Sequence, residues 1–187
     1  MHKLWLKKQK LNYSKNVIDI VQYGSSVIEG SSPNDIDIAV VFDKIPIKDQ
    51  LNEAQNIKKQ LEKSSPLQIH IKSFDFYSLF DKSNFAKEGI LFYGVSMLNK
   101  KHFSRIFGLE PKLQIFYFLD KLEKKDKIRF NYMLSGKGGK YGILNKHEGK
   151  IVRPGMIEVP PEYEKIFTDL IKKHINSFEL KKIFLSV

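Results

Sequence analysis

Two apolar runs, at residues 17–23 and 36–42, are the densest hydrophobic segments of the chain. The first is interrupted by Asp19 and Gln22 and stops at Gly24-Ser25; the second is rich in β-branched residues. Both are too short for helices that cross a bilayer and fit buried strands, at about 17–23 and 35–42. Between them, 25–29 is short enough for a brief helix that Gly30 would end. From 45 to 63, Leu51, Ala54, Ile57 and Leu61 recur at helical spacing, which predicts a helix across the sheet. Ser64-Ser65-Pro66 breaks it, and 67–72 alternates as a third strand with Leu67, Ile69 and Ile71 inward and Gln68 and His70 outward. Residues 74–99 are aromatic and apolar, predicting two short helices with their rings in the core and a closing strand or turn at 94–97.

Gly108 to Pro111 marks a boundary. Beyond it, Leu113, Phe116, Tyr117, Leu119 and Leu122 predict an amphipathic helix over 112–125, and 128–134 is a second apolar segment. Residues 149–159 read as a hairpin around Pro154-Gly155. Pro160-Pro161 opens a helix reaching about 174, and 178–184 is a last strand. The expected architecture is α/β (α+β): a small mixed-sheet core with packed helices at 1–108, and a basic α+β module at 109–187. Residues 1–16 read as an amphipathic segment anchored by Leu4, Trp5 and Leu11.

Length and composition narrow this further. A chain of 187 residues buries one good core and a small second module. With no cysteine, disulfides and thiolate metal sites are excluded, and a reducing interior suits the chain. The first ten residues alternate lysine with apolar residues and lack a signal-peptide core, so a cytoplasmic protein with no membrane partner is expected. Net charge is +11. Residues 1–98 carry 13 Lys and Arg against 11 Asp and Glu, whereas 99–187 carry 19 against 10. That second-half excess favours polyanions through phosphate contacts, although plain solvated lysines would give the same count.

The candidate chemistry lies in the first half. Asp35 and Asp37, two apart on a strand, point to the same face. Converging carboxylates repel unless a cation sits between them, and Mg²⁺ takes such hard oxygen ligands together with substrate phosphates. Gly24-Ser25 adds a turn whose backbone can approach a phosphate. The alternative is a strand-turn-strand in which Asp35 only caps the turn after Ser31-Ser32-Pro33-Asn34. Tyr23-Gly24-Ser25 followed by Asp35-Ile36-Asp37-Ile38 resembles the polymerase-beta-like nucleotidyltransferase superfamily. The resemblance covers roughly the first half of the chain. It implies that Gly24 and Ser25 hold an NTP and that Asp35 and Asp37 hold Mg²⁺ or Mn²⁺. It further implies transfer of an NMP to an acceptor hydroxyl with release of pyrophosphate.

The superfamily places a third acid on the third strand, where this chain has Gln68 and His70. His70 aligns with the missing carboxylate, and a neutral imidazole could accept a proton near pH 7; it could equally be an edge-strand histidine without a role. Asp75, at the strand's end, is the one nearby acid left to substitute. In the second half, Ser135 to Gly142 carries four glycines with Lys137 and Lys140 but lacks the Gly-Lys-Ser/Thr ending of a P-loop. It suits either a nucleic-acid backbone or an exposed turn. Arg153, Lys181 and Lys182 complete the candidate nucleic-acid-binding set. A nucleic-acid end, RNA favoured, is the expected acceptor. The alternatives are a protein hydroxyl, as in the antitoxin-type nucleotidyltransferases that modify a toxin partner, and a non-catalytic nucleic-acid-binding protein.

Overall fold

The computed structural model describes residues 11–175 and 177–187. The expected anchors Leu4 and Trp5 lie outside the described residues; Leu11 packs against the core of the first unit. The chain divides into two compact units, Met1–Gly108 and Leu109–Val187. The fold is α+β, with one mixed and one antiparallel sheet.

The first unit is built on β1 (Val17–Tyr23), β2 (Asp35–Phe42), β3 (Gln68–Asp75) and β4 (Val95–Ser96), in the order β3-β2-β1-β4. β1 runs antiparallel to β2 and β4, and β2 runs parallel to β3. A parallel pair needs a crossover, supplied by α1 (Ile47–Glu62). The run at 38–42 is continuously apolar because both faces of β2 are covered there. Ile36, Ile38, Val40 and Phe42 meet Ala54, Ile57 and Leu61 of α1. Ala39 and Val41 turn to the other face, with Val21, Tyr23, Leu79, Ile90 and Phe103. That second layer contains α2 (Phe76–Phe80), a π-helical turn at Gly89–Tyr93 and a 3₁₀ turn at Phe103–Phe107. Asp19 is buried in this unit at 2% exposure, and its carboxylate accepts from Ser96 Oγ and Ile20 N–H, both at 2.7 Å.

Two expectations for this unit change. Leu51 is exposed, and Gln50 takes the inward position on α1, its Nε2 donating to the Ile45 carbonyl at 3.0 Å. The aromatics of 74–99 are also not all core: Tyr77 is 81% and Phe85 98% exposed, and Phe80 is exposed as well. α2 is little more than one turn, so it fully buries a single side chain, Leu79; Phe76 and Phe80 set their rings edge-on against Phe107, at 5.9 and 5.6 Å, and Tyr77 faces water.

The second unit holds β5 (Leu109–Tyr117), β6 (Lys150–Arg153), β7 (Met156–Val159) and β8 (Phe178–Ser186), antiparallel throughout in the order β6-β7-β5-β8. The helix expected at 112–125 is corrected here. Pro111, Leu113, Ile115 and Tyr117 are buried at every second position, the period of a strand. Leu113, Phe116 and Tyr117 also fit helical spacing, and pairing with β7 on one side and β8 on the other decides for the strand. The helix begins later, as α3 (Lys124–Ser135), and a short α4 (Ile143–Lys146) follows. Phe130 of α3 meets Tyr117 at 5.1 Å between ring centroids. α5 (Glu164–Lys172) buries Phe167 and Ile171 after a proline-initiated 3₁₀ turn.

Candidate active site

The site forms where three strands of the first sheet meet. Tyr23 of β1 pairs with Asp37 of β2, and Asp37 pairs with His70 of β3. Directly paired residues share a face, so the three side chains stand in a row, with Asp35 and Gln68 in the next row. They belong to the face of Ala39 and Val41, at the end of β2 where burial gives way to partial exposure. Strand parity thus puts the two carboxylates together, as expected.

Gly24 ends β1 with φ +74°, a left-handed conformation that favours glycine. A Cβ built on it would lie 2.5 Å from Asp37 Oδ2. The glycine turn and the acid pair, separated in sequence, are therefore one site, in contact through the space that the missing side chain leaves. The turn continues as a 3₁₀ segment, Gly24–Val27, on which Ser25 is exposed. It is braced from beneath: Gln22 Nε2 donates to Ser26 Oγ at 3.1 Å and to the Ser26 carbonyl at 3.3 Å, while Ser26 Oγ donates to the Tyr23 carbonyl at 3.1 Å. Sequence reasoning missed Gln22 and Ser26. The signal was present, since a glutamine inside an apolar strand needs a partner.

His70 Nδ1 lies 3.3 Å from Asp35 Oδ2 and 4.0 Å from Asp37 Oδ1. All three side chains are about one-third to one-half exposed, so water and ligands reach them. Burial, then the neighbouring Asp35 carboxylate, raises the Asp37 carboxyl above its ordinary range, against the pull of His70 and Lys72. Burial and the negative Asp37 push the Tyr23 hydroxyl up to about 12. Burial is the larger cause of both shifts, and the neighbouring carboxylate, whose effect a cation at the pair would oppose, adds to it. Among the described residues no group of three or more His, Cys, Asp and Glu is arranged to hold a metal. The donor set is two carboxylates, which suits a hard divalent ion that keeps its remaining positions for water and phosphate. Lys72 was also missed, although it follows His70 by two on the same strand face.

Asp75 does not join this site. It pairs with Phe42, at the opposite end of β3 from His70. Its carboxylate accepts from Ser78 N–H at 2.7 Å while Ser78 Oγ accepts from Asp75 N–H at 2.9 Å, a reciprocal cap on α2. These hydrogen bonds hold its carboxyl below the ordinary range. Asp75→Ala should therefore lower stability by about 1 kcal/mol through loss of the cap, with divalent-ion and nucleotide affinity unchanged. Chemical denaturation and a Mn²⁺ titration of the same variant check both halves.

The basic candidates are spread through the second unit. Lys137 and Lys140 are exposed on the glycine turn after α3, and Arg153 is exposed on β6. Lys181 and Lys182 lie on β8, at the other edge of the sheet from β6. Being consecutive, they point to opposite faces, and Lys181 Nζ sits 5.7 Å from the centre of the Phe116 ring. The structure thus does not bring Arg153 together with Lys181 and Lys182. No helix among the described residues is long and apolar enough to cross a membrane. Comparison with protein-family models, with curated proteins and with solved structures gives no match, which leaves the site to be understood from its own residues.

Proposed function

We propose that this protein is a divalent-metal-dependent nucleotidyltransferase of the polymerase-beta-like kind. In this reading it moves an NMP from an NTP to an acceptor hydroxyl, with a nucleic-acid end, RNA favoured, as acceptor. The observation that carries the reading is the contact of the Gly24 turn with the acid pair within one side chain's volume, which would let a phosphate on the turn and a cation on the pair share one site. Asp35 and Asp37 would hold Mg²⁺ or Mn²⁺. Such an ion, when bound, supplies neutralisation of the triphosphate and polarises the α-phosphorus.

Gly24 and Ser25 present backbone N–H groups and a hydroxyl to the β- and γ-phosphates. His70 takes the role of the absent third acid. Its Nδ1 is turned to Asp35 Oδ2 at 3.3 Å, so Nε2 would be the nitrogen that meets the acceptor. In the reaction the acceptor oxygen bonds to the α-phosphorus, the α–β phosphoanhydride bond breaks, and pyrophosphate leaves. The acceptor's proton passes to His70 Nε2. Positioning and electrostatics carry most of such a transfer, so two acids and an imidazole suffice in principle.

Incubation with each α-labelled NTP, Mg²⁺ or Mn²⁺, and total RNA or lysate tests the reading, with the Asp35→Asn/Asp37→Asn double variant alongside. Label should reach RNA with the wild type and fall by at least about a hundredfold in the variant. Label on a protein band would replace RNA by a protein acceptor. RNA binding without transfer under any condition would leave a non-catalytic binding protein.

A further inference from the structure

The acid pair has a cationic neighbour on its β3 side. In the parallel register of β2 and β3, Asp37 pairs with His70 and Ala39 with Lys72. Residues two apart on a strand share a face, so Lys72 stands on the face of Asp35, Asp37 and His70, about 7 Å beyond His70 along β3. Its partner on β2 offers it nothing, since Ala39 is buried and carries no polar group. Gly24 follows β1, and β1 and β3 lie on opposite sides of β2. The glycine turn and Lys72 therefore flank Asp37 from opposite sides.

The fold makes no use of this lysine. It is exposed on the outer strand of the sheet, and among the described residues no hydrogen bond or ion pair holds its ammonium group. Its charge is nevertheless felt at Asp37, where it acts with His70 against burial and the Asp35 carboxylate. A compact charge on a flexible four-carbon stem can exchange one anionic partner for another.

The charges around the pair say what such a cation is for. Two carboxylates are matched by one divalent ion, which leaves the triphosphate of an NTP to be met by the chain's own groups. Sites for further ions need further ligands, and among the described residues no group of three or more His, Cys, Asp and Glu is arranged to hold a metal. The cationic side chains that act on Asp37 are His70 and Lys72. His70, as the proton acceptor, has to be neutral, which leaves Lys72.

We propose that Lys72 serves two partners in turn: it is the counter-ion of Asp35 and Asp37 before a divalent ion binds, and it moves to the α-phosphate when ion and nucleotide are bound together. The proposal rests on the nucleotidyltransferase reading. In that reading the β- and γ-phosphates lie on the Gly24 turn, on the β1 side, so the α-phosphate is the one that faces β3 and Lys72. An ammonium group there stabilises charge on the group being transferred. Because the same cation opposes the ion alone and favours the nucleotide, the site favours the two together.

The test measures two affinities of the full chain by electron paramagnetic resonance: for Mn²⁺ alone, and for Mn²⁺ with the α,β-methylene analogue of each NTP in turn, which binds without transfer. Lys72→Met keeps the aliphatic stem and removes the charge. It should bind Mn²⁺ alone about threefold more tightly, because a like charge beside the ion is gone. It should bind Mn²⁺–nucleotide about tenfold more weakly, because a charge-assisted contact to phosphate is lost. Lys72→Arg, which keeps the charge, should return both affinities towards the wild-type values. A merely structural role would move both in the same direction or neither. Shifts of the same sign in Lys72→Met, or none, would overturn the proposal and leave the nucleotidyltransferase reading standing. Wild-type protein that binds Mn²⁺ no more tightly with any of the nucleotides than without would sink that reading and the proposal together.

Discussion

Gly24→Ala is expected to remove metal-dependent nucleotide binding while leaving the fold standing. The added methyl meets Asp37 Oδ2 at 2.5 Å, and that oxygen is the far end of a side chain free to rotate. The strand therefore need not move; the carboxylate does. Holding alanine at φ +74° adds about 1–2 kcal/mol of backbone strain, which a unit with two covered sheet faces should tolerate. Turning Asp37 away separates it from Asp35 and closes the space in which the glycine turn meets the acid pair. Mn²⁺ and Mn²⁺–NTP affinity, followed by electron paramagnetic resonance, should drop at least tenfold. The melting temperature should fall by only a few degrees. Ser25→Ala, at an exposed position that leaves the turn's backbone alone, should change Mn²⁺–NTP affinity much less. Wild-type affinity in Gly24→Ala would sink the idea that turn and acids form one site.

Asp19→Asn should stabilise the protein at neutral pH by as much as about 3 kcal/mol and leave its stability near pH 4 nearly unchanged. Burial pushes the Asp19 carboxyl up to about 6 from an ordinary 3.8, against the hydrogen bonds from Ser96 and Ile20. The folded state thus holds the proton more tightly than the unfolded chain. Between pH 4 and 6 the unfolded chain has released it and the folded protein has not, so this carboxyl's contribution falls as pH rises. It is fully present below the unfolded value and lost through about 6. Asparagine keeps an acceptor oxygen for Ser96 Oγ and Ile20 N–H without the charge. Urea unfolding of both proteins between pH 4 and 8 checks this through their difference, which cancels the exposed carboxylates that shift the opposite way. A constant difference across that range would show that Asp19 is not the titrating group. A charge kept in the core at such a cost is a reserve of stability, because nothing places Asp19 in the site.

Several features could be read from the chain before any coordinates. The acid pair and its glycine turn were legible because strand parity is local: two residues apart means one face, and a glycine after an apolar strand means a turn. The two buried strands, the hairpin around Pro154-Gly155 and the proline-led last helix follow from equally local signals. Periodicity failed where two periods fit the same residues. Leu113, Phe116 and Tyr117 satisfy a helix, while Leu113, Ile115 and Tyr117 satisfy a strand, and the hydrogen-bonding partners on either side of β5 chose between them.

Long-range pairing also decided the site's make-up. Sequence placed His70 outward on a strand, but only the parallel register of β2 and β3 set its Nδ1 against Asp35. Asp75, behind His70 as a substitute for the missing acid, was the one nearby carboxylate in the chain; the start of α2 claimed it for a cap. The exposure of Tyr77 and Phe85 had no local signal, since an aromatic residue in an apolar segment reads as core; Tyr77 sits on the outer side of the one-turn α2, and Phe85 in the turn that follows it. What the sequence by itself determined is which residues share a face and where the chain must turn. Which faces meet, which polar groups are already taken, and which rings stay exposed were decided by tertiary structure, because those depend on neighbours that lie far apart along the chain.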